Sequence, residues 1–256
     1  MADQSSLKGA VKRAFDDVAG NYASSAVHRG GPELDALLAR AALRGEERVL
    51  DAGCGPGHTA LALAPTAGSV VGVDLSPSML EQARRLAGER EAANASFEEG
   101  DVESLHFADG SFDLVTSRYS AHHYPHPERA LAEFHRVLRP GGRLLLVDTV
   151  SPEDPGLDTF INMIEWLRDH SHIRDHRGSE WLTMLEGAGF RGRLEAEFRL
   201  DLDFESWVDR IGTPSAGREA LRFVRERASR EARETFRLDP ATGSFALFVH
   251  LYEADR

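Results

Sequence analysis

Apolar residues recur at helical spacing near the start of the chain, at Val11, Phe15, Val18 and Tyr22, which predicts one amphipathic helix. HRGG breaks the pattern, and Pro32 opens a second helix with Leu34, Leu37, Leu38 and Ala41 on one face. From Arg48 the pattern changes. RVLDAG reads as a short buried strand, HTALALA as the helix after it, stopped by Pro65, and GSVVGVDLS as the next strand. Ser76 and Pro77 supply the cap and first helical position for SMLEQARRLA. ASFEEGDVESL gives a third strand ending near Gly100 and Asp101, and SFDLVTSRYS a fourth. Pro127 opens a helix that buries Ala130, Leu131, Phe134, Val137 and Leu138. RPGG reads as a turn, and RLLLVDTV has the unbroken apolar run of a buried parallel strand. Strands alternating with helices over 48–150 mean βαβ units and a parallel sheet.

Beyond Val150 the pattern loosens into a segment rich in Pro, Asp and His. SEWLTMLEGAGF reads as a capped helix closed by glycine, and RLEAEFRLDL alternates like a strand. One long charged helix is expected over about 218–236, then a last strand, SFALFVHLY. At 256 residues the chain suffices for one well-buried α/β domain, and no repeat or linker marks a second. The net charge of −12 argues against nucleic acid as the main partner. A lone Cys54 excludes an internal disulfide and a cysteine-based zinc site. Two histidine clusters, His122/His123/His126 and His170/His172/His176, lack the spacing of a strong metal site, so no metal is expected. No run approaches the ~18 apolar residues of a membrane span, and MADQSSLKGAVKRAF lacks the apolar core of a secretory signal. A cytoplasmic protein is expected.

The chemistry concentrates in DAGCGPGH, where Gly53, Gly55 and Gly57 follow a strand and open a helix, turning backbone N–H groups toward a ligand. The spacing is G-x-G-x-G followed by His58, not the G-x-G-x-x-G of dinucleotide sites, and no G-K-S/T follows. Asp51, just ahead of the glycines, would repel a pyrophosphate and suit an ammonium. Asp74, 21 residues after Gly53, ends the second strand where a carboxylate accepts from both hydroxyls of a ribose. Gly100, Asp101 and Val102 end the third, where a carboxylate accepts from an exocyclic adenine amine. An amine, a ribose and an adenine without a pyrophosphate describe S-adenosylmethionine.

VLDAGCGPGHTALALA, VVGVDLSPSMLEQAR, EEGDVESLHFADGSFDLVTSRYSAHHY and ALAEFHRVLRPGGRLLLVD resemble the successive motifs of class I S-adenosylmethionine-dependent methyltransferases. The nearest branch is the ubiquinone/menaquinone-biosynthesis type, and the resemblance spans roughly 11–190. It implies an α/β fold: a doubly wound, Rossmann-like seven-stranded sheet, mostly parallel, with helices on both faces and an antiparallel last strand that SFALFVHLY would supply. It also implies that Gly53, Cys54, Gly55 and Gly57 line the methionine part of the cofactor and Asp74 holds the ribose. Leu75 and Met79 would flank the adenine, Asp101 with Val102 would hold its edge, and Tyr22 would lie over the cofactor. Ser117 and Arg118 would stand beside the sulfonium. One domain follows: helices over the cofactor in 1–44, the binding core in 45–150, and lid-like insertions with the C-terminal strands in 151–256.

Ligands of open α/β sheets lie beyond the carboxyl ends of the strands, so the acceptor should meet SRYSAHHYPHP and DTVSPEDP. His123, with His122 second, is the candidate base, and Arg118 either orients substrate or anchors its loop. The competing reading has both histidines capping a helix or packing on the pocket. Phe160, Ile161, Met163, Ile164, Trp166 and Leu167 suggest an apolar lid wall and a largely nonpolar, quinone-like or secondary-metabolic small-molecule acceptor, methylated on oxygen or carbon. The alternative is the same fold and cofactor serving a non-methylating reaction such as a cyclisation. A nicotinamide reductase is disfavoured by Asp51 and the glycine spacing. Methylation of a base or amide nitrogen is disfavoured because SRYS stands where N-P-P-Y or D-P-P-Y would. Nothing indicates an oligomeric state.

Overall fold

The computed structural model describes residues 6–256; the first five residues of the sequence, and with them part of the expected N-terminal cover, lie outside. The chain begins with α1 (Leu7–Asp16), α2 (Ala19–Ser24), α3 (Ala26–Arg29) and α4 (Pro32–Ala41). The single helix expected over the first two is therefore broken, at Asp17 and a non-helical Val18 (φ −123°, ψ 12°). The break lets Phe15 and Tyr22 meet edge to face, with ring centroids 5.3 Å apart.

The βαβ segment follows with β1 (Arg48–Ala52), α5 (His58–Leu63), β2 (Ser69–Asp74), α6 (Pro77–Glu89), β3 (Ala95–Glu99), β4 (Phe112–Arg118), α7 (Pro127–Val137) and β5 (Leu138–Val150). Ser76 caps α6 as expected, its Oγ accepting from Met79 N at 3.1 Å. RPGG is not a turn before the fifth strand but a bulge inside it. Pairing passes from Phe112↔Leu138 directly to Leu114↔Arg143, and Gly141 absorbs the excess at φ +79°.

After α8 (Pro155–Arg168), α9 (Gly178–Gly187) and β6 (Arg191–Leu202), the expected long charged helix is replaced by shorter pieces. These are α11 (Ser215–Glu226) and α12 (Arg230–Thr235), preceded by α10 (Phe204–Ile211). Ser229 restarts the chain as a cap, its Oγ accepting from Ala232 N at 3.1 Å. β7 (Phe245–Asp255) then returns antiparallel between β5 and β6.

The seven-stranded sheet has the order β3-β2-β1-β4-β5-β7-β6. Its parallel part reverses direction of growth between β1 and β4, which opens a crevice beyond their carboxyl ends. One face is packed by α7 and α9 through Leu131, Phe134, Trp181 and Leu185, the other by α4, α5 and α6 through Leu37, Leu61 and Leu80. A third cluster, built on Ile161, Trp207, Leu221 and Phe236, joins α8 to the C-terminal helices. Those helices stand beside the crevice.

Candidate active site

β1 delivers the glycine loop to the crevice. Gly53 sits at φ +68°, and a Cβ there would lie 1.9 Å from Ser120 Oγ, so no other residue fits. Its N–H and that of Cys54 donate to Val73 O at 2.8 and 3.0 Å, tying the loop to the end of β2. Asp74 completes the tie: Oδ2 accepts from Gly55 N at 2.8 Å and Oδ1 from Ser76 N at 2.9 Å. Burial pushes the Asp74 carboxyl above its ordinary pKa, and these backbone donors partly oppose that.

Beyond the loop lies a chamber of about 860 Å³ of empty space, counting its open mouth. Of the residues singled out in the sequence, Tyr22, Gly53, Cys54, Gly55, Asp74, Leu75, Met79, Gly100, Asp101, Val102, Arg118 and His123 line it. Asp51, Gly57, Ser117 and His122 do not.

Asp51 is 1% exposed and lies beneath the loop, not at its mouth. Its carboxylate accepts from Ala60 N at 3.0 Å and Thr116 Oγ1 at 2.9 Å, a fixed negative charge at the amino end of α5. Burial raises its pKa to about 6. Gly57 serves packing instead: a Cβ would come within 2.9 Å of the Phe97 ring. Ser117 is fully buried, paired with Tyr124 Oη at 3.0 Å, and Ser120 stands at the chamber in its place. Arg118 is an anchor. It donates to Thr59 Oγ1 at 3.0 Å, to Glu33 Oε1 at 3.1 Å and to the His28 carbonyl, fastening α3 and α4 over the site.

α1 forms the roof. Lys8 Nζ pairs with Asp101 Oδ2 and Glu103 Oε2, each at 2.6 Å. Lys12 Nζ reaches Glu99 Oε1 at 2.8 Å and Leu75 O at 3.0 Å, and Asp16 accepts from Ser76 Oγ at 2.6 Å. The sequence reading placed Asp101 at the site without its lysine.

A second chamber adjoins the first, with about 490 Å³ of empty space, counting its open mouth. The two share Phe15, Tyr22, His28, Tyr119 and His123. These five rings touch in series: His123–Phe15 at 4.8 Å, Phe15–Tyr22 at 5.3 Å, Tyr22–His28 at 4.9 Å and His28–Tyr119 at 5.9 Å. They form a collar between the chambers. Tyr119 holds its place at φ +53°, an unfavourable backbone state for a bulky residue.

The two adjacent histidines carry opposite charge states. Burial disfavours a charged His122, but Asp148, 2.6 Å from Nδ1, overrides it and raises the pKa to about 9. His122 is therefore a cation at neutral pH and has no proton-accepting capacity. For His123, burial and then the charge on His122 lower the pKa to about 4. Its Nδ1 lies 3.0 Å from Ser171 O, which can only accept, so the neutral ring carries its proton there and leaves Nε2 a bare acceptor.

None of Phe160, Ile161, Met163, Ile164, Trp166 and Leu167 lines either chamber; the apolar lining of the second comes from Leu200, Leu202, Trp207 and Leu247 instead. Met163 and Trp166 are 39% and 50% exposed, Phe160 stacks on Phe236, and Ile161 and Ile164 are buried in the C-terminal cluster. The face that α8 turns to the second chamber is Glu165 and Arg168, one helical turn apart. Arg168 Nε donates to Trp207 O at 3.0 Å and its guanidinium lies over the Trp207 ring. Among the described residues, no group of three or more His, Cys, Asp or Glu side chains is arranged to hold a metal.

Residues 50–146 match the methyltransferase-domain family. The uncharacterized methyltransferase YcgJ of Bacillus subtilis is 40% identical over 222 residues, 87% of this chain and 88% of the relative. The chain belongs to the class I S-adenosylmethionine-dependent methyltransferases. The crystal structure of YcgJ superposes on this methyltransferase with a TM-score of 0.84 at 39% identity, covering 88% of this chain and 97% of that one. The uncharacterized protein YafE of Escherichia coli is 41% identical over 182 residues, 71% of this chain and 88% of the relative. UbiE of Methylobacterium nodulans, a ubiquinone/menaquinone biosynthesis C-methyltransferase, is 34% identical over 160 residues, 59% of this chain and 64% of the relative.

The chamber of this methyltransferase fits S-adenosylmethionine. Space at Gly55 is open where a side chain would intrude, and Asp74 supplies two acceptor oxygens suited to a vicinal diol. Leu75, Met79 and Val102 offer apolar surface to a base, with Asp101 beside them. Among the described residues no helix is long and apolar enough to cross a membrane. Sequence reasoning missed Phe15, His28, Glu165, Arg168 and Arg210 as site residues, whereas Tyr119 lies in SRYSAHHYPHP, the segment expected to meet the acceptor. For Phe15 a signal existed: it lies one heptad before Tyr22, on the same face of the first apolar stripe.

Proposed function

We propose that this methyltransferase methylates an oxygen or a weakly acidic carbon of a small molecule held in the second chamber, with His123 as the base. The observation that carries this reading is the collar: one row of touching aromatic side chains borders both chambers, and His123 is part of it. S-adenosylmethionine supplies a methyl group that is already activated, so the protein's task is alignment and proton removal. Nε2 of His123 takes the acceptor's O–H or C–H proton. Asp169 supports the imidazolium that forms, its Oδ2 lying 4.0 Å from Nε2 and buried without a hydrogen-bond partner. His122 is the fixed cation behind it, and Arg118 keeps the roof in place. A carbon acceptor is supported by the similarity to UbiE, whose name gives it as a C-methyltransferase.

The test is S-adenosylhomocysteine formation across a panel of phenols and enolisable acids, repeated with His123→Asn. The account expects turnover to fall by about 100-fold or more while cofactor affinity, titrated separately, is kept. In the unmodified enzyme the acid limb of kcat/KM should lie near pH 4, not near the ordinary histidine value. Unchanged turnover in the variant would remove His123 from the mechanism.

A further inference from the structure

We propose that the acceptor carries an anionic group of the carboxylate class, gripped in the second chamber by Arg210 with Arg168 beside it. This deepens the methyl-transfer reading above and rests on it. Arg210, on α10, is half-buried and lines the second chamber. Among the described residues its guanidinium has no hydrogen bond and no ion pair; only its backbone carbonyl is engaged, by Asn21 Nδ2 at 3.1 Å. Burial, and then the neighbouring charge of Arg168, disfavour its charged form. An arginine left without a partner in such a place costs free energy that a bound anion would return.

The other charges facing this chamber leave the anion's place open. Arg168 is held by the Trp207 carbonyl and sits 3.6 Å from Glu165. Burial pushes the Glu165 carboxyl above its ordinary pKa, against the pull of Arg168. Among the described residues it is the one carboxylate residue lining this chamber, beside two arginines, while the charge on His122 is matched by Asp148. The carboxylates behind the wall are engaged in part or in full. Asp148 accepts from His122 and Thr149 N, whereas Asp169 and Asp175 each engage one oxygen, with Ser171 and with Thr149 Oγ1 at 2.5 Å, and keep the other buried without a partner; neither residue lines the chamber. Leu200, Leu202 and Leu247 line the same chamber and give it apolar surface beside the two arginines. A planar guanidinium with free donors pairs a carboxylate through two parallel bonds, which would fix the acceptor's orientation against His123.

The test uses a matched pair of probes, benzoate and benzamide, titrated into the full chain saturated with S-adenosylhomocysteine. Benzoate is expected to bind about tenfold tighter or more, with the preference lost in Arg210→Gln and partly kept in Arg210→Lys. Unaltered S-adenosylhomocysteine affinity in both variants reports that they are folded. Equal affinity, tighter benzamide, or no saturable benzoate binding to a protein that does bind S-adenosylhomocysteine overturns this proposal alone. Failure to bind S-adenosylhomocysteine overturns it together with the methyl-transfer reading.

Discussion

At the scale of single residues, the site is a set of carboxylates and imidazoles whose neighbours decide their roles. Asp51 and Asp74 both follow apolar strand residues, yet one is a buried brace and the other faces the chamber. Asp74→Asn should weaken S-adenosylmethionine binding by about tenfold or more, because a charged acceptor for two hydroxyls becomes a neutral one with half its capacity. Calorimetric titration checks this; an unchanged affinity would take Asp74 out of the cofactor site. The places of Gly53, Gly55 and Asp74 at the chamber were legible because their spacing is local and a strand–loop–helix junction allows few alternatives, but the packing role of Gly57 against Phe97 was not. The depth of Asp51, Ser117 and Arg118 was not, because the sequence does not say which way a side chain points as its strand ends. His122 and His123 were legible as a pair but not as opposites, since Asp148 and Ser171, which separate them, are 26 and 48 positions away.

At the scale of elements, α1 is the roof, held by Phe15 against Tyr22 and His123 and along its length by polar contacts. Lys8, Lys12 and Asp16 reach three separate points on the rim, and partly exposed ion pairs contribute only ~0.2–1 kcal/mol each. The roof should therefore open far more readily than the sheet beneath it. Hydrogen exchange in the second half of α1 (Leu7–Asp16) should be faster than in β1 and β4, faster again in Lys8→Ala/Lys12→Ala, and slowed by S-adenosylhomocysteine. Protection of α1 equal to that of the sheet in the absence of cofactor would contradict this. Helix existence was readable from apolar periodicity, whereas helix ends were not where polar residues set them. Ser229 interrupts what looks like one charged helix, because a charged surface helix has too few apolar positions to betray a change of phase. The bulge at RPGG was hidden for a related reason. Gly and Pro announce a departure from regular backbone but not whether the strand resumes.

At the scale of the whole molecule, alternation of strand and helix foretold the parallel half of the sheet, the antiparallel direction of β7 came only with the family resemblance, and its place between β5 and β6 came only with the structure. Long-range pairing leaves no trace in local pattern. Charge is also distributed at this scale, and it links stability to pH. His122 is raised to about 9 from an ordinary value near 6.5, so the native state holds a proton that the unfolded chain releases between these limits. Its contribution is complete below pH 6.5 and is lost as the pH climbs through 9. The stability gap between the native protein and His122→Gln should thus narrow between pH 6 and 9.5, by on the order of 2–3 kcal/mol, in urea titrations. A constant gap would mean that His122 is not charged in the fold. The central claim, however, is that two chambers meet at one aromatic collar. A crystal structure with S-adenosylhomocysteine bound tests it most directly. The account predicts ribose hydroxyls on Asp74, the sulfur at the collar formed by Phe15, Tyr22, His28, Tyr119 and His123, and the second chamber left open for the acceptor. A sulfur turned away from the collar, or a cofactor that fills the second chamber, would contradict it.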